Sequence, residues 1–214
     1  MQINILLYDR MTALDAVGPY EVLSRVPGAD VLFVGERAGP VRTDTGHLSL
    51  VADASLADAP AADVVLVPGG YAPPLTPGPI HEWLRAADAA STWTTSVCVG
   101  SLILGAAGLL EGRRATSHWI ALDRLADYGA LATEERVVFD GKYVTAAGVS
   151  AGIDMALTLL ARMTAPEAAM AVQLGIEYDP RPPFEAGSPA TAPAEIVAYL
   201  RANRDTIVKL PGMS

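Results

Sequence analysis

The sequence has only one cysteine, Cys98, and no run of basic residues. A single cysteine excludes an intramolecular disulfide and any metal site built from several thiolates. The 15 Lys and Arg side chains are outnumbered by 24 Asp and Glu, which gives a net charge of −9. Nucleic acids and anionic membranes are bound by clustered cations, so we expect neither as a partner.

Long hydrophobic stretches are also absent. No uncharged apolar segment approaches the ~18 residues that a membrane-spanning helix needs. The first apolar run has no basic region before it and meets Asp9 and Arg10 early, unlike a signal peptide. We therefore expect a cytoplasmic protein. Apolar residues make up 51% and charged residues 18%, a composition typical of a globular domain.

Short apolar runs alternate along the chain with stretches of helical spacing. Strands are predicted at residues 3–8, 31–34, 47–51, 63–67 and 94–97. Helices are predicted at residues 14–26, 79–90, 100–110, 152–163, 166–176 and 194–207. Asp140-Gly141 predicts the two-residue turn of a hairpin between residues 137–139 and 142–145. The proline-rich segments 72–79 and 179–195 are expected to be irregular.

This alternation of buried strands and helices predicts an α/β fold with a mostly parallel central sheet. We expect one domain over residues 1–214, in which 179–214 form a proline-rich extension and a C-terminal helix. Ligands of such sheets bind beyond the carboxyl ends of the strands. Three of these ends carry unusual residues, namely the segment 9–15, the pair Gly69-Gly70, and Cys98.

Cys98 lies between a β-prone run and a helix that Gly100 and Ser101 open. This strand–nucleophile–helix turn pushes a side chain out of the sheet, and a small residue such as Gly100 permits the crowded backbone. A helix N-terminus also stabilises a thiolate. The alternative is a buried structural cysteine at a strand end. The sequence context favours a reactive thiol in a nucleophile elbow.

Four further residues are candidates whose roles the sequence leaves open. Gly69 and Gly70 either form an ordinary turn or let the backbone approach a ligand. In the second case, the N–H groups of Gly70 and Val99 are able to bind a developing negative charge together. Asp15 either caps the first helix or meets the thiol. His118 is either a polar loop residue or the base of a Cys and His pair. No metal-ligand spacing and no nucleotide-binding motif occurs, so we expect no cofactor.

Taken together, these segments resemble the ThiJ/PfpI superfamily, which is related to class I glutamine amidotransferases. The resemblance rests on LDAVGPYEVL at 14–23, LVPGG at 66–70, CVGS at 98–101, AAGLL at 106–110 and ATSHW at 115–119. Within the superfamily the chain is most similar to isonitrile hydratases, because the acid is Asp15 and because QLGIEYDP at 173–180 is followed by PPF at 182–184 and by Gly187. Regulators of the AraC type share similar segments, but only 19 residues follow Glu195, and we expect no helix-turn-helix domain.

The resemblance implies a flavodoxin-like three-layer sandwich, usually a homodimer. It implies Cys98 as the nucleophile, Asp15 as its hydrogen-bonding acid, and a backbone oxyanion site near Gly70 and Val99. One position departs from the hydratase pattern. A Thr follows the cysteine there, whereas Val99 has no hydroxyl to donate near the sulfur.

The activity implied is the addition of water to an isocyanide, a small neutral substrate, to give an N-substituted formamide. Cys98 forms a thioimidate and Asp15 acts as general acid and base. Site-lining residues are expected to include His118, Gly69, Tyr20, Tyr71 and Ile120. Two alternatives remain open, a redox or small-molecule sensor that uses the same thiol, and another Cys-dependent activity of glyoxalase or amidase type.

Overall fold

The computed structural model describes residues 1–211 and has a seven-stranded sheet at its centre. The strands are β1 Gln2–Leu7, β2 Asp30–Gly35, β3 Gly39–Arg42, β4 Ser49–Ala52, β5 Ala54–Ser55, β6 Val64–Val67, β7 Trp93–Val97, β8 Arg114–Ala115, β9 Leu131–Ala132, β10 Val137–Asp140 and β11 Tyr143–Ala146. Their order in the sheet is β10-β11-β7-β6-β1-β2-β5, and only β10 runs antiparallel to its neighbour. This confirms the α/β class with a mostly parallel sheet.

Two groups of helices flank this sheet. The helices are α1 Ala13–Leu23, α2 Pro79–Ala90, α3 Gly100–Ala106, α4 Ala151–Met163, α5 Pro166–Gly175 and α6 Ala194–Ala202, with 3-10 helices at Trp119–Tyr128 and Arg204–Thr206. Helix α4 packs against both α1 and α5, whereas α3 packs against α2 and the longer 3-10 helix. The central strands β1, β6, β7 and β11 are buried between the helices almost throughout.

Strand β7 is buried although its sequence, WTTSV, is mostly polar. Thr94 and Thr95 are fully buried, and each hydroxyl has an acceptor. Thr95 donates to the Val65 carbonyl at 3.0 Å, and Thr94 donates to the Asp88 carboxylate of α2 at 2.6 Å. Because these bonds satisfy the hydroxyls, threonine supplies its β-branched shape to the core without the cost of an unpaired polar group.

The structure departs from the predicted elements at several places. Helix α1 ends at Leu23 instead of residue 26, and α6 ends at Ala202 instead of residue 207. Helix α3 ends at Ala106 instead of continuing to residue 110, because Gly108 adopts a positive φ of 80° that breaks the helix. The strand predicted at 47–51 is present as β4, but it pairs antiparallel with β3, which was not predicted. The 3-10 helix at Trp119–Tyr128 was not predicted.

The C-terminal segment returns to the body of the molecule after the irregular stretch that precedes α6. Val208 and Leu210 are buried, and the Lys209 N–H donates to the Tyr71 carbonyl at 2.6 Å. Arg124 donates to the Pro211 carbonyl at 3.1 Å. Within residues 1–211, no helix combines the length and apolar character needed to cross a membrane.

Strand order determines which loops meet. Strand β6 lies between β1 and β7, and all three run parallel. Their carboxyl ends therefore lie side by side at one edge of the sheet. The three segments that follow these ends begin at Tyr8, Pro68 and Cys98.

Candidate active site

Cys98 occupies a strained turn between β7 and α3. Its φ is +59°, a left-handed conformation that non-glycine residues rarely adopt. The Cys98 N–H donates to the carbonyls of Ala146 (3.1 Å) and Ala147 (2.9 Å) at the end of β11. These bonds hold the cysteine backbone in place while its side chain leaves the plane of the sheet. The residue is 6% exposed.

The turn requires glycine at position 100. A Cβ atom at Gly100 would lie 2.2 Å from the Val67 carbonyl oxygen and 2.9 Å from the Pro68 carbonyl carbon. Both atoms belong to the backbone at the end of β6, which cannot move away without disturbing the sheet. Glycine is therefore what lets the elbow approach the neighbouring strand end, as the sequence predicted.

Asp15 lies in the first turn of α1 and is fully buried. Its Oδ2 atom accepts a hydrogen bond from the Gly69 N–H at 2.8 Å. Its Oδ1 atom has no nitrogen or oxygen partner among residues 1–211. The carboxyl lies beside Cys98, since a Cβ atom at Gly69 would come within 2.9 Å of both Cys98 Cβ and Asp15 Oδ2. The one side-chain hydrogen bond of Asp15 within residues 1–211 is thus to the loop after β6 and not to the N–H groups of α1.

Burial raises the pKa of Asp15 from 3.8 to about 7. The hydrogen bonds from the Gly69 N–H and from Cys98 act in the opposite direction, and the negative charge of Asp44 raises the pKa further. Desolvation dominates because an ionised carboxylate loses more from leaving water than two hydrogen bonds return. Near neutral pH, Asp15 is therefore able both to hold and to release a proton.

Burial also raises the pKa of the Cys98 thiol, and the neighbouring Asp15 carboxyl raises it further. The N–H groups of Val149 and Val99 face the sulfur and lower the pKa in part. The sequence predicted a low thiol pKa because a helix N-terminus stabilises a thiolate. Desolvation outweighs that stabilisation here, since α3 is only 7 residues long. The two side chains titrate as a coupled pair, which carries at most one negative charge near neutrality.

Backbone N–H groups surround this pair. The Gly70 N–H has no acceptor within the part of the chain that the structure describes. A Cβ atom at Gly70 would lie 2.5 Å from the Arg10 carbonyl oxygen and 2.6 Å from Met11 Cα, so only glycine fits between the two loops. Gly70 and Val99 lie on the adjoining loops of β6 and β7, and an oxyanion site formed by their N–H groups stays a prediction.

Two residues at this edge were not predicted from the sequence. Val149, with a φ of +29°, follows β11 and directs its N–H at the Cys98 sulfur. Tyr8 is buried, donates its hydroxyl to the Pro68 carbonyl at 3.2 Å, and its pKa is raised by burial and by Asp15 and Cys98. Tyr8 directly follows β1, whereas Val149 lies three residues after the end of β11, and the sequence carries no stronger signal for either.

His118 lies at the start of the 3-10 helix. Its Nδ1 atom accepts a hydrogen bond from the Ile120 N–H at 3.2 Å, and its ring packs against Gly148. Burial lowers the pKa of His118 to about 4, so the imidazole is neutral near pH 7. With Nδ1 engaged as an acceptor of a backbone N–H, the ring acts as a cap of this helix.

The remaining predicted wall residues are dispersed. Tyr20 packs its ring on Phe33, at a centroid distance of 5.3 Å, and Phe33 pairs with Ile5 midway along β1. Tyr20 therefore lies against the middle of the sheet, away from the carboxyl edge where it was expected. Tyr71 follows Gly70 directly, and the Arg10 guanidinium lies 4.4 Å from its ring centroid.

Ile120 faces a separate groove between the longer 3-10 helix and α6. This groove has a volume of about 470 Å³ and is lined in part by Trp119, Arg201 and Arg204. No group of three or more His, Cys, Asp or Glu side chains within residues 1–211 is arranged to hold a metal ion.

Comparison with known proteins agrees with this architecture. Residues 1–162 match the model of the DJ-1/PfpI family. The chain is 42% identical to an isonitrile hydratase from Pseudomonas putida over 212 residues, which cover 98% of this chain and 92% of that protein. It is 35% identical over 175 residues to the HTH-type transcriptional regulator CdhR of Pseudomonas aeruginosa, covering 78% of this chain and 51% of the regulator.

A similar solved structure is that of a ThiJ/PfpI family protein from Pseudomonas syringae. It superposes with a TM-score of 0.92 at 41% identity and covers 94% of this chain and 85% of the other. The sequence segments, the sheet order and these matches lead to the same assignment, and the chain belongs to the DJ-1/PfpI family.

Proposed function

We propose that this protein adds water to an isocyanide and releases an N-substituted formamide. The observation that carries the proposal is the buried pair of Cys98 and Asp15, in which a carboxyl with a pKa of about 7 lies beside a thiol. The 42% identity to an isonitrile hydratase over nearly the whole chain supports this chemistry.

In the first step, the Cys98 sulfur attacks the terminal carbon of R–N≡C and an S–C bond forms. The same carbon takes the one proton that the Cys98–Asp15 pair shares, so the product is the thioimidate R–N=CH–S–Cys98. Whether that proton starts on sulfur or on oxygen, Asp15 delivers it, and the pair is left as an Asp15 carboxylate. Covalent catalysis of this kind divides one difficult addition into two easier ones.

In the second step, the Asp15 carboxylate takes a proton from a water molecule that attacks the thioimidate carbon. Asp15 then passes that proton to the nitrogen. The C–S bond breaks with its electron pair going to sulfur, the remaining hydroxyl proton of the added water goes to the Cys98–Asp15 pair, and R–NH–CHO leaves. A positioned acid and base accelerates such transfers by roughly 10²–10⁴-fold. Negative charge that develops during the attack is stabilised by the N–H groups of Gly70 and Val99.

A neutral substrate suits the electrostatics of this edge. Asp15 and Cys98 are buried, and Tyr8 lies beside them with its hydroxyl engaged. The N–H donors of Gly69 and Val149 serve the pair itself. A substrate with its own charge would have to be desolvated without a counter-ion, at a cost of several kcal/mol.

The sensor alternative is less well supported. A redox sensor needs an exposed thiol of low pKa. Cys98 is only 6% exposed, and burial together with Asp15 raises its pKa. Burial and a raised pKa both slow direct oxidation of the Cys98 thiol. A proton donor such as Asp15 beside the thiol is a feature that a hydratase needs and a sensor does not.

The test is turnover of an alkyl and an aryl isocyanide, followed by proton NMR of the formyl group. Wild type is expected to form the formamide, and Cys98→Ala is expected to form none while retaining its thermal transition. Replacing the sulfur with hydrogen removes little packing, so loss of folding does not explain loss of turnover. Formamide production by the folded Cys98→Ala variant would refute the nucleophile, and its absence from wild type would refute the proposed activity.

We also propose that the protein works as a homodimer in the cytoplasm. Met170 and Leu174 of α5 are 64% and 81% exposed, and α6 exposes Ile196 and Tyr199. Apolar side chains exposed on surface helices favour self-association. A reducing compartment keeps the single thiol available. Light scattering at micromolar concentration is expected to give twice the chain mass of 22.3 kDa, and a mass of one chain would exclude the dimer.

A further inference from the structure

Two serine hydroxyls donate to the carbonyl oxygen of the nucleophile. Ser117 Oγ lies 3.1 Å from the Cys98 carbonyl oxygen, and Ser101 Oγ lies 3.2 Å from the same atom. Both serines are buried, with 2% and 0% of their surface exposed. A backbone carbonyl that accepts two buried side-chain donors is held from two directions.

The two donors come from different parts of the chain. Ser101 belongs to the first turn of α3, where a bond to the carbonyl three residues earlier is an ordinary local contact. Ser117 comes from the segment that follows β8, which is fastened to β11 because the Thr116 N–H donates to Thr145 Oγ1 at 2.8 Å. Ser117 therefore connects the elbow to the sheet through a tertiary contact.

The bonded carbonyl belongs to the peptide that carries the Val99 N–H. A peptide unit is planar and trans, so its carbonyl and its N–H point in opposite directions. Holding the Cys98 carbonyl against the two serines thus aims the Val99 N–H at the opposite side, where it faces the Cys98 sulfur. The left-handed φ of Cys98 makes this support necessary, because a rarely populated backbone conformation persists only when its surroundings hold it.

We propose that Ser117 is a positioning residue, which with Ser101 fixes the Cys98–Val99 peptide so that the Val99 N–H faces the reactive sulfur. The proposal rests on the proposed function where turnover is concerned. Its prediction for thiol reactivity holds for any reaction of Cys98. Removal of the Ser117 hydroxyl frees the peptide to rotate and weakens a hydrogen bond that stabilises the thiolate.

The experiment compares Ser117→Ala with Ser96→Ala. Ser96 is also fully buried and lies on β7 two residues before Cys98, but its hydroxyl has no hydrogen-bond partner among residues 1–211. The two variants lose the same atom from equally buried sites, and only one of them loses a bond to the elbow. The readouts are the pH profile of iodoacetamide alkylation and, separately, kcat and KM for isocyanide turnover.

For Ser117→Ala we expect the alkylation profile to move to higher pH and kcat to fall about five- to tenfold, as the loss of one hydrogen bond implies, with little change in KM. Ser96→Ala should match wild type in all readouts. Ser101→Ala is the second variant, and it should shift the alkylation profile in the same direction if Ser117→Ala does not fold.

Unchanged alkylation profiles in folded Ser117→Ala and Ser101→Ala would overturn the proposal, as would an equal shift in Ser96→Ala. If wild type does not turn over isocyanides, the alkylation profiles still decide the role of Ser117. Failure of the positioning role and failure of the hydratase activity are therefore distinguishable.

Discussion

The Gly69 N–H donates to Asp15 Oδ2 at 2.8 Å, and this bond joins the loop after β6 to the first turn of α1. A Cβ atom at Gly69 would lie 2.8 Å from Cys98 Cβ and 2.9 Å from Asp15 Oδ2. Glycine at this position thus leaves the room in which the carboxyl and the thiol meet. The Oδ1 atom has no hydrogen-bond partner within residues 1–211.

Replacement of Asp15 should separate thiol reactivity from catalysis. Asp15→Asn keeps the size and an amide donor beside Cys98 but supplies no proton to carbon, so we expect alkylation by iodoacetamide to persist while isocyanide turnover stops. Asp15→Glu keeps the acid and extends it by one methylene, and should reduce turnover more than alkylation. The measurement is the alkylation rate against pH beside turnover for each variant. Normal turnover in Asp15→Asn would remove Asp15 from the mechanism.

Protein stability should respond to pH through the same carboxyl. The pKa of Asp15 is 3.8 when exposed and about 7 when folded, so between these values the native state keeps a proton that the unfolded state has lost. The contribution of the protonated group to stability is complete below pH 3.8 and is lost as pH rises through about 7. Its full loss corresponds to at most about 4 kcal/mol.

Asp15→Asn lacks this titration, so its unfolding free energy relative to wild type should increase between pH 4 and pH 8. Urea unfolding at both pH values measures the change. Asp205→Asn alters an exposed acid and serves as the control, which should follow wild type at both pH values. A constant difference between Asp15→Asn and wild type across this range would show that Asp15 does not titrate there.

His118 should matter less to turnover than Asp15. Its imidazole is neutral near pH 7 and caps the 3-10 helix through the Ile120 N–H. Glutamine offers a carbonyl oxygen that is able to take over this bond, so His118→Gln should keep a substantial fraction of wild-type kcat. A loss as large as that of Cys98→Ala would mean that a Cys and His pair carries the reaction.

Gly100 should tolerate no side chain. Alanine there would press its Cβ to within 2.2 Å of the Val67 carbonyl oxygen, so we expect Gly100→Ala to lose more than about 3 kcal/mol of stability or to fail to fold. Gly175 ends α5 and has open space where a Cβ would lie, so Gly175→Ala should stay within about 1 kcal/mol of wild type. Comparable stability of the two variants in urea unfolding would contradict the tight elbow.

The local pattern of the sequence determined the elements and the place of the nucleophile. Pro79–Ala90 forms a helix with the predicted ends, because proline begins it and apolar side chains recur on one face. Asp140-Gly141 forms the predicted hairpin turn, in which Gly141 has a φ of +59°. Cys98 directly follows its strand, and this position alone places it at the carboxyl edge of the parallel sheet.

Only the tertiary structure decided what surrounds the thiol. The Val149 N–H acts on the Cys98 sulfur from 51 residues along the chain. The Ser117 hydroxyl binds the Cys98 carbonyl from 19 residues along the chain. No local sequence pattern encodes either contact. Tyr20, expected at the site, packs against Phe33 instead.

The proton balance of the site was decided in the same way. The sequence favoured a thiolate at a helix N-terminus, whereas burial raises the pKa of both Cys98 and Asp15. Desolvation of a side chain depends on all the residues that pack around it, and most of these are distant in the sequence. The sequence shows only the neighbours of that residue along the chain.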